Sequence, residues 1–152
     1  MTRVSVRSYK ATAVETEKIT TILKAGMAAP SGLDKRPWHF IVVTDKKQIH
    51  ALSKANPESE AIINNAPLII VVCGDMNKAD KGNGHDNWIL DTSAASENIL
   101  LAVHALGLGA VWTGVYPREE RINKVSEVLN LPKEIIPLSA ILIGYLDNEA
   151  TP

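Results

Sequence analysis

Apolar residues in the first part of this chain recur at the spacing of an amphipathic helix. The predicted inner face, with members three or four positions apart, consists of Ile19, Ile22, Leu23 and Met27. Thr12 or Thr16 is the predicted N-cap, and Thr12 followed by Glu15 has the spacing of a capping box. Pro30 disfavours helical backbone in the residue before it, so we expect the helix to end near residues 28–29.

Four short apolar runs predict buried strands, and helical patterns alternate with them. The runs cover residues 39–43, 68–73, 110–115 and 138–145. The second run is apolar at every position, as expected for a central strand that is covered on both faces. Further helices are predicted at 46–55 and from Pro117 onward, a weakly helical stretch at 58–65, and a polar loop at 74–87. The alternation predicts an α/β or α+β fold in one domain spanning residues 1–152.

The rest of the chain is organised around segment 91–106, which is predicted to be a helix. Small or apolar residues cover more than one side of it: Ala94, Ala95, Ile99, Leu100, Leu101, Ala102, Val103, Ala105 and Leu106. A helix that is apolar all round is buried all round, so we expect a second subunit to cover part of it. Gly107 and Gly109 are expected to end the helix, and Gly114 leaves room for a close approach to the next strand.

Composition narrows the class of protein further. With 45% hydrophobic and 22% charged residues, the 152-residue chain has the make-up of an ordinary soluble domain. A net charge of −1 and few aromatic residues give no reason to expect binding to nucleic acid or to a membrane surface. Cys73, the single cysteine, lies in an apolar run and is interpreted as a small core residue, which fits a reducing cytoplasm.

Candidate chemistry is concentrated in two short segments. Arg3, Ser5 and Arg7 alternate, so an extended arm would present them on one side as a grip for an anion, or the arm is simply solvated. Residues 30–38 form either a plain turn or a ligand-binding loop. The polar loop at 74–87 lacks the spacing of a calcium site, and no metal site is predicted.

Three motifs, in this order and spacing, resemble the FMN-dependent nitroreductase family. They are R-x-S-x-R-x-Y at residues 3–9, an A-P-S…P-W-x-F pattern at 29–40, and A-A-x-x-N-x-x-L followed by G-L-G-x-x-W-x-G within 94–114. The resemblance covers the chain from Arg3 to Tyr145. It implies an α+β three-layer sandwich with a mainly antiparallel central sheet flanked by helices. It also implies an intertwined homodimer with two FMN molecules at the subunit interface.

The resemblance further implies which residues meet FMN. Arg3, Val4 and Ser5 would contact the phosphate and ribityl chain, and Arg7 the N1–O2 edge of the flavin, where reduction places negative charge. The backbone N–H of Gly114 would face flavin N5, which makes Gly114 the candidate catalytic residue. The remaining cofactor-binding candidates, some reaching the flavin from the other subunit, are Pro30, Ser31, Gly32, Asp34, Arg36, Trp112 and Thr113.

The implied activity is reduction of FMN by NAD(P)H followed by reduction of a nitroaromatic, a quinone or a related small acceptor, in a ping-pong cycle. Two alternatives stay open. One is a flavin enzyme of the same fold with different chemistry, such as dehalogenation or flavin fragmentation. The other is a flavin-binding carrier or regulator without catalysis.

Two departures from the family pattern concern cofactor binding. Asp34 stands where an asparagine is usual and Arg36 where a glutamine is usual, and Arg36 is positioned to pair with Asp34. Near the end of the sequence, Asp147 and Glu149 stand where the family pattern has a basic residue for the phosphate. Either phosphate binding therefore rests on Arg3, Ser5 and Arg7 alone, or FMN is held weakly.

Overall fold

Four strands and five helices alternate along residues 2–147, the part of the chain that the computed structural model describes. In chain order they are α1 (Thr16–Met27), β1 (Trp38–Val43), α2 (Lys46–Ser53), α3 (Glu60–Asn65), β2 (Leu68–Asp75), α4 (Asn87–Ala105), β3 (Gly109–Gly114), α5 (Glu119–Leu129) and β4 (Ile135–Gly144). Each apolar run of the sequence is a strand, as predicted.

The strands form one antiparallel sheet in the order β1-β2-β4-β3. Strand β2 is central, and its residues from Leu68 to Gly74 are all buried. Its register against β4 pairs Ile70 with Ile141 and shifts between Val72 and Cys73. The prediction of an antiparallel sheet within an α+β fold is confirmed.

Side chains of β2 alternate between two helical layers, because successive residues of a strand point to opposite faces. Ile69, Val71 and Cys73 pack in a core with residues of α2, α3 and α5. Leu68 and Ile70 pack with residues of α1 and α4 on the other face. The fold is therefore a three-layer sandwich of helices, sheet and helices, as the resemblance implied.

The N-terminal arm lies along the outer edge of β3. Ser5 forms a parallel bridge with Ala110, and the N–H of Val6 donates to the Ala110 carbonyl over 2.9 Å. A Cβ at Gly109 would lie 2.8 Å from the Val6 side chain, so glycine is what lets the arm lie this close. The buried Tyr9 hydroxyl donates to the carbonyls of Val6 (2.5 Å) and Leu142 (3.2 Å), which anchors the arm's far end to the sheet.

Helix α4 is only partly enclosed by its own chain. Ile99 and Val103 are fully buried, whereas Leu90 is 68% exposed. Gly107 has a φ of +75° and follows the helix end, so the predicted glycine stop is confirmed. The helix starts four residues earlier than the prediction of residue 91, because Trp88 packs over the backbone at Gly74, where a Cβ would overlap its ring.

Three other local predictions need correction. The capping box does not form: Glu15 is the N-cap of α1 and makes no side-chain capping bond. Helix α5 begins at Glu119 rather than in the turn at Pro117, whose peptide bond is cis. Residues 74–75, predicted as loop, extend β2, and Asp75 N–H donates to the Pro37 carbonyl. Of the acidic residues noted near the end, Glu149 lies outside the described residues.

Among the described residues, no helix combines the length and apolar character needed to cross a membrane.

Candidate active site

A cleft of about 240 Å³ opens where β3 ends, and we call it the β3 cleft. It brings together the arm residue Arg7 with Trp112, Thr113 and Gly114, four of the residues that the sequence singled out. The cleft is completed by residues that sequence reasoning did not predict: Asn56, Glu58, Ser59, Ile62, Val111, Arg118 and Arg121.

The backbone of Gly114 faces open space in this cleft. A Cβ at this position would meet nothing within 4 Å. Backbone groups of alternate residues point to the same edge of a strand, so Gly114 presents its N–H to the edge where Ala110 receives the arm. Strand β4 lies on the other edge. The last residue of β3 therefore offers a backbone donor to whatever occupies the cleft.

Arg121 of α5 connects its helix to the end of β3 and to the turn before α3. Its guanidinium donates from Nη1 to the Gly114 carbonyl over 3.2 Å and from Nη2 to Oε2 of Glu58 over 2.8 Å. Its side chain is only 11% exposed, whereas Arg118 is largely solvent-exposed and lies 3.8 Å from the same carboxylate oxygen. The hydrogen bond from Arg121, aided by the charges of both arginines, lowers the pKa of Glu58.

Asn56 adds a buried polar group to the cleft wall. Its Oδ1 is buried and has no hydrogen-bond partner among the described residues. An unsatisfied buried acceptor costs about 1–3 kcal/mol. Asn56 also lines an apolar interior cavity beside Leu52 and Val125, and its Oδ1 is not exposed to the β3 cleft.

The other arm residues lie at a second cleft of about 210 Å³. Arg3 and Val4 line it together with Leu100, Gly107 and Leu108 of the α4–β3 region. Arg3 and Arg7 therefore line different clefts, one on each side of the bridge between Ser5 and Ala110 along the arm.

The loop at 30–36 is a separate, internally bonded unit. The buried carboxylate of Asp91 accepts from the Gly32 N–H over 2.9 Å, and Ser31 Oγ accepts from the Arg36 N–H over 2.9 Å. Arg36 pairs with Asp34 through two bonds of 2.6 and 3.1 Å, as the sequence suggested, and this pairing raises the pKa of Arg36.

Three non-glycine residues of this loop have left-handed backbone, a strained conformation. They are Leu33, Asp34 and Arg36, with φ of 52°, 54° and 47°. Neither the β3 cleft nor the second cleft is lined by a residue from Pro30 to Arg36 of the same chain.

Within residues 2–147, no group of three or more His, Cys, Asp or Glu side chains is arranged to hold a metal ion.

Comparison with known proteins gives consistent matches over nearly the whole chain. The sequence model of the Nitroreductase family matches residues 1–61 and 54–145. A Methanothermobacter thermautotrophicus protein, provisionally named NADH dehydrogenase/NAD(P)H nitroreductase, is 45% identical over 144 residues, which are 95% of this chain and 73% of that protein.

Comparison with solved structures points to the same family as the sequence matches. A protein of Parabacteroides distasonis with the same provisional name superimposes with a TM-score of 0.90 at 48% identity, covering 99% of this chain and 86% of that one. A provisionally named nitroreductase of Desulfovibrio desulfuricans, crystallised in complex with FMN, gives 0.84 at 32% identity, covering 99% and 85%. The fold, the motifs and these matches together show that the chain belongs to the nitroreductase family.

Proposed function

We propose that this chain binds FMN at the β3 cleft and acts as an NAD(P)H-dependent oxidoreductase that reduces a small acceptor, such as a nitroaromatic or a quinone, in a ping-pong cycle. The observation that carries the proposal is that Gly114, with open space at its Cβ position and its N–H on the outer edge of β3, lines the same cleft as Arg7. Support comes from the family, from the FMN complex of the Desulfovibrio relative, and from the NAD(P)H nitroreductase names of others.

The residues of the cleft suit this cofactor. Bound FMN would supply the hydride-accepting and electron-donating chemistry, and the protein supplies placement and charge. Arg7 provides fixed positive charge and donors for the N1–O2 edge, and the Gly114 N–H provides a donor that does not titrate. Asn56 lines the same cleft with an amide side chain, a group that can both donate and accept hydrogen bonds.

Other candidate residues beside the cleft are proposed either to shape its wall or to bind the phosphate end of FMN. The Thr113 hydroxyl donates to the Ala140 carbonyl over 2.8 Å, so Thr113 and the partly buried Trp112 shape the cleft wall rather than hydrogen-bond the cofactor through their side chains. Arg3, Val4 and Ser5 are proposed to hold the phosphate and ribityl chain; Arg3 and Val4 line the second cleft, and Ser5 follows them where the arm bridges Ala110.

The proposal includes a homodimer in which the loop at 30–36 reaches the partner's cofactor. It is supported by exposed apolar side chains on and beside this loop: Met27 is 56%, Leu33 81% and Leu90 68% exposed. Large exposed apolar side chains on adjoining elements are typical of an interface. The loop residues that would then act across the subunit boundary are Pro30, Ser31, Gly32, Asp34 and Arg36.

The proposed location is the cytoplasm. The reduced, buried Cys73 fits this location.

The direct test is a titration of the purified protein with FMN under anaerobic conditions. We expect uptake of FMN, bleaching of its yellow absorbance by NADH or NADPH, and return of the colour on addition of a quinone or a nitroaromatic. A protein that takes up no FMN contradicts the proposal. One that binds FMN but is not bleached by either nucleotide supports a carrier or regulator instead.

Arg7→Ala tests the proposed anion contact. Loss of a hydrogen bond to a charged group costs about 1.5–3 kcal/mol, so we expect the FMN dissociation constant to rise about tenfold to a hundredfold. Lys10→Ala, which removes the same charge from an exposed position on the same arm, is the matched control and should leave FMN affinity nearly unchanged. If both variants raise the FMN dissociation constant equally, Arg7 contributes only its positive charge and makes no specific contact with FMN.

A further inference from the structure

The contact between Arg121 and Gly114 links helix α5 to the proposed cofactor site. Gly114 is the last residue of β3, and the outer edge of the strand here has no neighbouring strand within the described part of the chain. Its carbonyl accepts from Arg121 Nη1 over 3.2 Å. This bond and the one from the Val115 N–H to the Leu138 carbonyl, over 3.0 Å, hold both polar groups of the peptide that directly follows the Gly114 N–H.

Arg121 is itself held in one orientation. The guanidinium is a rigid planar fork, so two bonds to different partners fix its plane. One partner is the Gly114 carbonyl and the other is Glu58 Oε2 at 2.8 Å, on the turn before α3. With a side chain that is 11% exposed, Arg121 is held far more tightly than a surface arginine.

The same guanidinium places positive charge in the wall of the cleft. Arg7, Arg118 and Arg121 all line it, and Glu58 is the acidic residue that lines it with them. Positive charge beside a redox cofactor stabilises the form that has gained electrons, and it does so more strongly where water is excluded.

We propose that Arg121 is a positioning residue for the proposed reaction: its bond to the Gly114 carbonyl limits rotation of the glycine whose N–H faces the cleft, and its charge favours the reduced over the oxidised cofactor. Glu58 acts through Arg121 by fixing the direction of the guanidinium. The proposal rests on the proposed function, because its electrostatic part needs FMN in the β3 cleft. Its geometric part concerns the protein alone.

A purely structural role for Arg121 would make a different prediction. If the arginine only ties α5 to β3, its replacement lowers stability and leaves the redox balance of bound FMN unchanged. The decisive quantities are therefore the midpoint potential of bound FMN and the state of the Gly114 amide, not stability or turnover.

The experiment compares Arg121→Met and Arg121→Lys with Lys124→Met, a matched control. Lys124 lies on the same helix and pairs with Glu120 over 3.0 Å, outside the linings of both clefts. We expect Arg121→Met to lower the ratio of reduced to oxidised FMN affinity about tenfold, the lower end of what loss of a supporting residue costs in metal sites. This corresponds to a midpoint potential lower by about 30 mV. Arg121→Lys should retain more of the potential, because it retains the charge.

A second measurement needs no cofactor. The amide resonance of Gly114 in the FMN-free protein should shift in both Arg121 variants and stay in place in Lys124→Met. An unmoved Gly114 resonance overturns the positioning role, and an unchanged potential overturns the electrostatic role. If wild-type protein binds no FMN, the proposed function and the electrostatic role fail together, while the amide measurement still decides the positioning role. Arg121→Lys serves both measurements if Arg121→Met does not fold.

Discussion

Individual residues contribute to the candidate site mainly through their backbone and through uncharged polar groups. Gly114 offers an N–H from a position without a Cβ, and Asn56 lines the same cleft with an amide side chain. Such groups do not titrate near neutral pH, so the protein would place a cofactor without a side-chain acid or base. The titrating groups nearby have supporting tasks.

Cys73 illustrates a nucleophile that the fold keeps inactive. The residue is fully buried in β2, and burial raises the pKa of its thiol to about 12. At pH 8 the native thiol is therefore protonated and inaccessible, and we expect negligible reaction with a disulfide reagent such as dithionitrobenzoate over an hour. The same protein in guanidinium chloride should react fully, with one equivalent. Rapid labelling of the native form would contradict the assignment of Cys73 to the core.

Glu58 gives stability a predictable dependence on pH. The hydrogen bond from Arg121 lowers the pKa of Glu58 below its ordinary value of 4.5 in the folded state. A carboxyl group with a lowered folded pKa stabilises the fold above its unfolded pKa, and this contribution is lost as pH falls through the folded pKa. We expect wild type to melt at a higher temperature than Glu58→Gln at pH 7, and this difference to shrink progressively below pH 4.5. Thermal unfolding between pH 7 and pH 3 measures it, and a difference that grows on acidification would be the opposite of the expected sign.

At the scale of elements, the loop at 30–36 combines a strained backbone with a single side-chain hydrogen bond to α4. It contains three left-handed non-glycine residues, and its connection to the helical layer is the bond from the Gly32 N–H to Asp91. A strained backbone persists only where surrounding contacts hold it. Asp91 on α4 therefore maintains the shape of a loop that is proposed to serve the partner subunit.

Asp91→Ala should loosen this loop, whereas Asp91→Asn retains an oxygen that can accept from Gly32. Loss of a buried acceptor costs about 1–3 kcal/mol, so we expect trypsin to cut after Lys35 roughly tenfold faster in the alanine variant. The asparagine variant is the control and should resemble wild type. Equal cleavage rates in all three proteins would show that the loop holds its shape without Asp91.

Element prediction from the sequence was strongest where a short stretch carries an unambiguous local signal, such as continuous apolar character or a glycine after a helix. The uninterrupted apolar run at 68–73 and the glycine stop after α4 were both predicted correctly. Boundaries failed where tertiary contacts bear on them: the first turn of α4 contains Trp88, whose ring packs over Gly74 of the preceding strand, β2.

The residues of the candidate site fall into two groups: those that the sequence motifs identified and those that only the fold revealed. Arg7 and Gly114 lie in motifs, so the sequence identified them, and the structure places both in one cleft. Arg121 and Asn56 carry no local signal, because one belongs to an amphipathic helix and the other precedes a short turn. Only folding brings them to the end of β3, so no local pattern could have revealed their place in the cleft.

For the molecule as a whole, the central question is what covers the open side of α4. The sequence suggested that the helix is buried all round, and a test with a charge at Leu100 would follow from that interpretation. Leu100 is only 6% exposed within the single chain, so a charge there would disrupt the core itself. Leu90, 68% exposed on the same helix, probes the outer side instead.

Leu90→Glu should weaken the proposed dimer and leave the single chain folded. An unpaired charge buried at an interface costs about 3 kcal/mol or more, so we expect a shift towards monomer at micromolar concentration in sedimentation equilibrium. Ala61→Glu introduces the same charge at an exposed position on α3, in the opposite helical layer, and should stay dimeric. A wild-type protein that sediments as a monomer would remove the partner subunit from the proposed function.

The arm that lies along β3 also bears on how copies of this protein behave when concentrated. Exposed edge strands are templates for intermolecular pairing, the usual start of aggregation. The arm occludes the edge near Ala110 but leaves the stretch at Gly114 uncovered. A ligand that binds the Gly114 amide would therefore cover part of this exposed edge, so the protein prepared with its ligand should aggregate more slowly than the protein stored without it.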